Sequence, residues 1–235
     1  MRFHKALHLF DNIACYITPT AHTAKLLAKS GVAKEKIAVL PTFIDASAYQ
    51  PRYDNDGYFL FLGRLSPEKG VDDILRAMAL CPTARLKLTG KAEPAYEAHV
   101  KRLIDELGIG DRIEPTGFVQ GEALQRLVQG ARAMLLPAVW YENLPNAILE
   151  AFAYGKPVIT SNLGSLPDAV QHERNGLLCR PHDPASLAEC MRRLEESPAL
   201  TQRLGMQARR DCEAKYAPEA YYEKLIALFR KAAGQ

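Results

Sequence analysis

Two carboxylates stand out in the segment Trp140-Tyr141-Glu142-Asn143-Leu144-Pro145-Asn146-Ala147-Ile148-Leu149-Glu150-Ala151-Phe152-Ala153-Tyr154-Gly155-Lys156-Pro157-Val158-Ile159: Glu142 and Glu150, with seven residues between them. Pro145 suits a first helical turn, and Gly155 followed by Pro157 reads as a helix stop. Glu150 therefore falls mid-helix, between Leu149 and Ala151, on a segment with hardly a polar face. A helix apolar nearly all round is usually buried, and a buried carboxylate without a partner is costly. Either a lysine or arginine of a neighbouring helix neutralises Glu150, or paired ribose hydroxyls do, since an ionised carboxylate accepts two hydrogen bonds at once. Glu142 lies in the turn before the helix, where the macrodipole favours an acid in any case.

Upstream, Phe61-Leu62-Gly63-Arg64-Leu65-Ser66-Pro67-Glu68-Lys69-Gly70-Val71 holds an arginine and a lysine five residues apart. Arginine presents a planar fork to phosphate oxygens, and lysine a compact point charge. Together they suit a ligand rich in phosphate, but taken alone the pair reads first as a solvated basic loop beside Glu68 and Asp72. The helix start at 143–147 could hold phosphate through the backbone N–H groups of Asn143, Leu144, Asn146 and Ala147. Pro145 has none to offer.

Other chemistries find little support. His4 and His8 have the spacing of a helical metal pair but no third ligand, so a surface pair is the better reading and no metal site is expected. No Gly-x-Gly-x-x-Gly follows a strand, as a dinucleotide oxidoreductase would require. Gly155-Lys156 runs into proline without the glycine spacing of a P-loop, and there is no nucleophile elbow.

The elements that must position these residues can be read from periodicity. From about Tyr58, strand candidates at Tyr58–Leu62, Arg85–Thr89, Arg112–Pro115, Ala133–Pro137, Pro157–Ser161 and Gly176–Cys179 alternate with helix candidates at 70–80, 94–107, 121–130, 146–154, 165–171 and 184–196. Such alternation predicts an α/β fold, a doubly wound, Rossmann-like parallel sheet whose ligands bind at the carboxyl ends of the strands. The loops at Arg64–Gly70, Gly90–Pro94, Gly117–Gly121 and Ala138–Pro145 would share that edge. Before this domain, Ile13–Thr20 reads as a strand ending in a turn and Ala21–Ser30 as a helix closed by Gly31; Ile37–Pro41 follows, then an irregular stretch to Asp56. After it, Tyr216–Ala233 is an amphipathic helix with Tyr221, Leu225, Leu228 and Phe229 on one side.

The composition, 48% hydrophobic and 24% charged over 235 residues, is that of a globular protein. A net charge of +3 is too small to argue for nucleic acid. No apolar run has transmembrane length, although peripheral membrane contact stays open, and the start lacks the apolar core of a secretory signal. The five cysteines, odd in number and without a Cys-x-x-Cys, read as reduced thiols of a cytoplasmic protein.

The Glu142–Ile159 segment resembles the nucleotide-sugar site of retaining glycosyltransferases of the GT-B fold, most closely glycosyltransferase family 4. That family carries two glutamates at this spacing, an apolar helix, then a Gly-x-Pro-Val strand. Phe61–Val71 is similar to its phosphate-binding strand and loop, and Glu114-Pro115-Thr116-Gly117-Phe118-Val119 to the loop that touches the base. The three motifs fall in the family's order and cover about residues 55–195.

The resemblance implies one half of a GT-B fold, in three parts: 1–50 as a remnant of the amino-terminal domain with the crossover, 51–200 as the nucleotide-sugar-binding domain, and 201–235 as helices crossing back. It places Gly63, Arg64 and Lys69 at the diphosphate, together with backbone groups of Asn143, Leu144 and Asn146. Glu150 would meet the ribose and Phe118 and Val119 the base, with Gly90-Lys91 near the donor. Glu142 would be catalytic, holding the donor sugar and supporting positive charge at the anomeric carbon. Phe118 could equally be core.

The activity implied is transfer of a hexose from a nucleoside-diphosphate sugar to an acceptor hydroxyl, with retention and with no cofactor or essential metal. Most of the amino-terminal acceptor domain lies outside these residues, so a partner chain or self-association is expected to complete the site. A non-catalytic nucleotide-sugar-binding module or one subunit of a split transferase is the alternative, and a GT-B epimerase a weaker one. The sequence departs from the family's common Glu-Gly-Phe-Gly-Leu at Glu142-Asn143-Leu144-Pro145-Asn146. It departs again at Gly164-Ser165-Leu166-Pro167-Asp168, where a second glycine and a glutamate are more usual.

Overall fold

A computed structural model describes residues 12–234. Strands β3 (Tyr58–Leu62), β4 (Leu86–Thr89), β5 (Ile113–Gly117), β6 (Ala131–Leu136), β7 (Val158–Ser161) and β8 (Gly176–Cys179) form one sheet, and all its pairings are parallel. Its order is β5-β4-β3-β6-β7-β8, the doubly wound arrangement in which the chain reverses direction across the sheet between its first and fourth strands. The fold class expected from the alternation is the one observed.

Side-chain alternation divides the core in two. Phe59, Phe61, Leu135 and Ile159 point to one face, with helices α2 (Val71–Ala79), α3 (Pro94–Leu107) and α7 (Pro184–Glu196) packed over it through Ile74, Met78, Leu103, Leu187 and Met191. Leu60, Met134, Leu136 and Val158 point to the other, covered by α4 (Gly121–Gly130), α5 (Asn146–Ala153) and the short α6 (Leu166–Ala169). Adjacent strand residues facing opposite layers is what the pleat imposes. It explains why β3 reads Tyr-Phe-Leu-Phe-Leu with no polar break.

Helix boundaries follow local chemistry. Pro94 opens α3, and Gly108 closes it at φ 62°. Asp183 caps α7 by accepting from Ser186 N–H, and Ser197 caps α8 (Pro198–Lys215) by accepting from Leu200 N–H. Periodicity alone does not mark α8, although the resemblance implies helices over 201–235 and the structure has two there, α8 and α9 (Pro218–Ala232). The buried residues of α8 are Thr201, Leu204, Gly205, Ala208, Asp211 and Cys212, mostly small or polar. They carry little hydrophobic signal yet let α8 lie close to α5: a Cβ on Gly205 would collide with Gly155 O. The expected boundary at residues 200 and 201 thus falls in the first turn of a helix whose Ala208 and Cys212 belong to the second core layer.

A separate parallel pair, β1 (Tyr16–Thr18) and β2 (Ile37–Val39), flanks α1 (Ala21–Lys29) in a small β-α-β unit. The carboxyl-terminal helix α9 (Pro218–Ala232) has no buried residue. It meets the segment that follows this unit: Ile44 N–H donates to Tyr216 O, just before α9, at 2.9 Å, and the Tyr221 and Phe43 ring centroids lie 4.8 Å apart.

Candidate functional site

The order reversal lies between β3 and β6, so the loops after these two strands, 63–70 and 137–145, flank the crevice where such sheets bind ligands. Close backbone approach joins them. Gly70 adopts φ 75°, and a Cβ there would collide with Pro137 O; Val139 N–H donates to Glu68 O at 3.0 Å. Between the loops opens a cleft of about 750 Å³, lined by Arg64, Lys69, Glu142, Asn143 and Leu144 among others. A larger groove of about 910 Å³ runs along the edge strand β5, away from the crevice. Its Lys87 and Glu114 neutralise each other at 3.1 Å, so the smaller cleft has the better claim to a ligand.

Within the cleft, Lys69 Nζ donates to Glu142 Oε1 at 2.6 Å, both side chains being about one fifth to one quarter exposed. Arg64 is exposed and pairs with Glu68 at 2.7 Å. A cation from one loop and a carboxylate from the other therefore meet at the reversal point. Asn143 accepts a bond from Thr23 Oγ1 at 3.4 Å. Leu144 packs against the second core layer, and Asn146 is exposed on the first turn of α5. Pro145 is the N-cap of that helix and no side chain caps it. The leading N–H groups are left to other acceptors, as helix N-termini do for anions.

Glu150 lies one turn deeper in α5, half-buried. Burial raises the pKa of its carboxyl above the ordinary value, and no cation opposes that shift. Among the described residues its carboxylate has no ion-pair or hydrogen-bond partner, so the lysine or arginine that a structural role would demand is not there.

Phe118 is 61% exposed, which removes it from the core. Lys91 Nζ stands 4.9 Å over its ring, and both line a cavity of about 310 Å³ that also includes Gly90. Val119 faces the groove along β5 instead, so the two residues of this loop point apart. Gly63 closes the crevice end of β3, where its N–H donates to Thr89 O at 3.0 Å. The structure thus gathers Arg64, Lys69, Glu142, Asn143 and Leu144 in one cleft, with Glu150 behind it and Phe118 to one side. His4 and His8 lie outside the described residues, and among those described no cluster of histidine, cysteine or acidic residues could hold a metal ion.

The sequence reading passed over His22. Its ring stacks on Tyr141 with centroids 5.8 Å apart, and its backbone N–H donates to Asp168 Oδ2 at 2.8 Å. No local pattern marks a residue that reaches the cleft from another unit; only Thr20, a helix N-cap at the right place, hinted that α1 begins there.

Comparison with known proteins decides the family. Residues 45–211 match the family described as Glycosyl transferases group 1. The chain belongs to that family. Among relatives of this group 1 glycosyltransferase chain, the MMP alpha-(1->4)-mannosyltransferase of Mycolicibacterium hassiacum is 29% identical over 219 residues, 91% of this chain and 53% of that protein. The D-inositol 3-phosphate glycosyltransferase of Streptomyces avermitilis is 33% identical over 168 residues, 66% of this chain and 35% of that protein. The group 1 chain thus spans 35–53% of the length of these relatives. Its fold matches that of Anabaena HepE, solved in complex with UDP and glucose, at TM-score 0.83 and 21% identity, covering 92% of this chain and 63% of that one. It also matches the sucrose-phosphate synthase of Thermosynechococcus elongatus at TM-score 0.84 and 25% identity, covering 98% and 62%. The fold of this group 1 chain is therefore one half of the GT-B architecture. Among the described residues no helix is long and apolar enough to cross a membrane.

Proposed function

We propose that this chain is the donor-binding half of a retaining glycosyltransferase of the family 4 type, which moves a hexose from a nucleoside-diphosphate sugar to an acceptor hydroxyl. The observation that carries this is the meeting of Lys69 and Glu142 across the reversal point of the sheet, with a half-buried Glu150 that has no partner among the described residues. Family membership and the nucleotide-bound fold neighbours support it.

In this reading the diphosphate lies between Lys69, the exposed Arg64 with Gly63 beside it, and the uncapped N–H groups at Asn143, Leu144 and Asn146. Cations and helix dipole together stabilise the leaving group, and no metal ion is invoked. Glu150 accepts both ribose hydroxyls, which offsets the cost of its burial. Phe118 flanks the base, with Lys91 close to it; Val119, turned into the groove along β5, does not. Glu142 holds the sugar and supports positive charge at its anomeric carbon. Rate acceleration comes mainly from holding donor and acceptor together and from stabilising the diphosphate.

The acceptor wall is a separate matter. Ile17, Leu26 and Val39 on the small β-α-β unit, with Tyr222 and Phe229 on α9, are large apolar side chains exposed to solvent. This pattern favours an acceptor domain, partner chain or second copy over these faces. The free thiols of Cys15, Cys81, Cys179, Cys190 and Cys212 suit a cytoplasmic setting.

A thermal-shift and calorimetric screen of uridine, guanosine, adenosine and thymidine diphosphates and their glucose conjugates tests the proposal. Saturable binding by at least one of them is expected, with slow or no transfer until an acceptor domain is supplied. Absence of binding across the panel would overturn it.

A further inference from the structure

The loop that carries Glu142 is not held by the six-stranded domain alone. Its eight residues from Ala138 to Pro145 include no helix or strand, and to the bonds it receives from the domain at Val139 and Glu142 contacts from outside are added. Helix α1 supplies them. The His22 ring lies against the Tyr141 ring with planes 16° apart, and Thr23 Oγ1 reaches Asn143 Oδ1, so the residues on either side of Glu142 are both touched. From its other side Tyr141 meets Gly164, where φ is 59° and a Cβ would stand 2.8 Å from Tyr141 Cδ1.

The first turn of α1 is itself anchored. Thr20 Oγ1 donates to Ser165 Oγ at 2.9 Å, and His22 N–H donates to Asp168 Oδ2 at 2.8 Å. Loop 138–145 and the loop after β7 are thus joined through one helical turn. His22 Nε2 is buried and has no hydrogen-bond partner among the described residues, so its side chain engages the loop through the flat ring. Tyr141, in turn, is 63% exposed, which leaves the stack and Gly164 as what fixes its ring.

We propose that His22 is a positioning residue for the sugar end of the donor site: by stacking on Tyr141 it sets the backbone from which Glu142 reaches the cleft. This rests on the donor-site reading above. Arg64 and Lys69, on the other loop, grip the diphosphate from outside the reach of α1 and the N–H groups at Asn143, Leu144 and Asn146 only add to that grip, whereas the sugar end rests on Glu142 of the braced loop, so the sugar end loses more than the diphosphate end when the ring is lost. Misplacing a catalytic group by a fraction of its reach costs orientation that binding energy cannot restore. The β1-α1-β2 unit, which packs beside the sheet rather than within it, thereby becomes part of the donor site.

Trp140 is the chain's single tryptophan, adjoins Tyr141 and is exposed in the cleft, so its emission reports this loop directly. Time-resolved anisotropy of the full chain without ligand, and affinities for the four nucleoside diphosphates and their glucose conjugates, test the proposal. His22→Ala should increase fast local motion of Trp140, weaken the preferred sugar nucleotide about fivefold and leave the matching diphosphate within about twofold. His22→Phe, which keeps a ring but no nitrogen, should restore both readouts. Unchanged anisotropy, equal losses for both ligands, or no rescue by phenylalanine would overturn the brace. Should the wild-type chain bind none of these ligands, the donor-site reading fails and takes the sugar-end role with it; normal binding with an unmoved Trp140 sinks the brace alone.

Discussion

Lys69 Nζ and Glu142 Oε1 stand 2.6 Å apart, on two loops separated by 73 residues of sequence and joined only because β3 and β6 are neighbours. The pair has a consequence for binding. On the proposed donor-site reading, a diphosphate approaching Lys69 would compete with Glu142 for the same ammonium, and its arrival would free Glu142 toward the sugar.

Glu142→Gln should therefore strengthen binding of the sugar-free diphosphate by about 0.5–1 kcal/mol, the scale of a partly exposed ion pair that no longer competes. Transfer in an enzyme supplied with its acceptor domain should fall sharply. Lys69→Ala should act in the opposite sense on binding, weakening the diphosphate by about 1–3 kcal/mol as a charge-assisted hydrogen bond is lost. Calorimetry on both variants checks the pair; a Glu142→Gln protein with weaker diphosphate binding would show that the carboxylate does not compete.

Glu150 links stability and binding with opposite signs. Burial raises its carboxyl pKa in the folded state, so the folded chain binds more protons than the unfolded one near that pKa. The contribution to stability is present at low pH and is lost as pH rises from the ordinary carboxylate range through the raised folded pKa. Glu150→Gln should raise the melting temperature at neutral pH by about 2–4 °C, the shift that about 1 kcal/mol gives in a domain of this size. Nucleotide affinity should drop, and that for a deoxyribose analogue should drop less. A Gln variant that melts lower and binds both ligands equally would assign Glu150 to a structural role.

Metal dependence gives a third test. If Arg64 and Lys69 serve the diphosphate, a chelator leaves the nucleotide-induced rise in melting temperature unchanged, because binding to the native state alone sets that rise. A shift that vanishes with EDTA and returns with magnesium would require a cation in the cleft.

The apolar faces predict association. Contiguous exposed hydrophobic surface drives contact between copies or with a partner, and Ile17, Leu26 and Val39 are each nearly half exposed on one small unit. Sedimentation velocity should show self-association that weakens on Ile17→Lys with Leu26→Lys. A chain that stays monomeric at high concentration would leave these faces without a role in assembly.

Local pattern was enough for much of this protein. The limits of α3, α4 and α7, the strands β3 and β8, and the loops that carry Arg64, Lys69 and Glu142 follow from hydrophobic period, proline at helix starts and glycine at helix ends, all of which act within a few residues. The motif order along the chain also pointed to one half of a GT-B fold. Periodicity reports that a face is buried, however, and not against what. Tertiary structure decided that Lys69 meets Glu142, that no cation among the described residues reaches Glu150, and that Phe118 turns outward, because each depends on which distant segments the strand order makes neighbours. Helix α8 gives little periodic signal for a related reason: Gly205 lies against the backbone of Gly155, just past α5, where a Cβ would not fit, and Thr201 bonds Leu194 O. His22 shows the same limit most plainly. Its contact with Tyr141 crosses from a separate β-α-β unit into the cleft, and only the folded chain brings the two rings together.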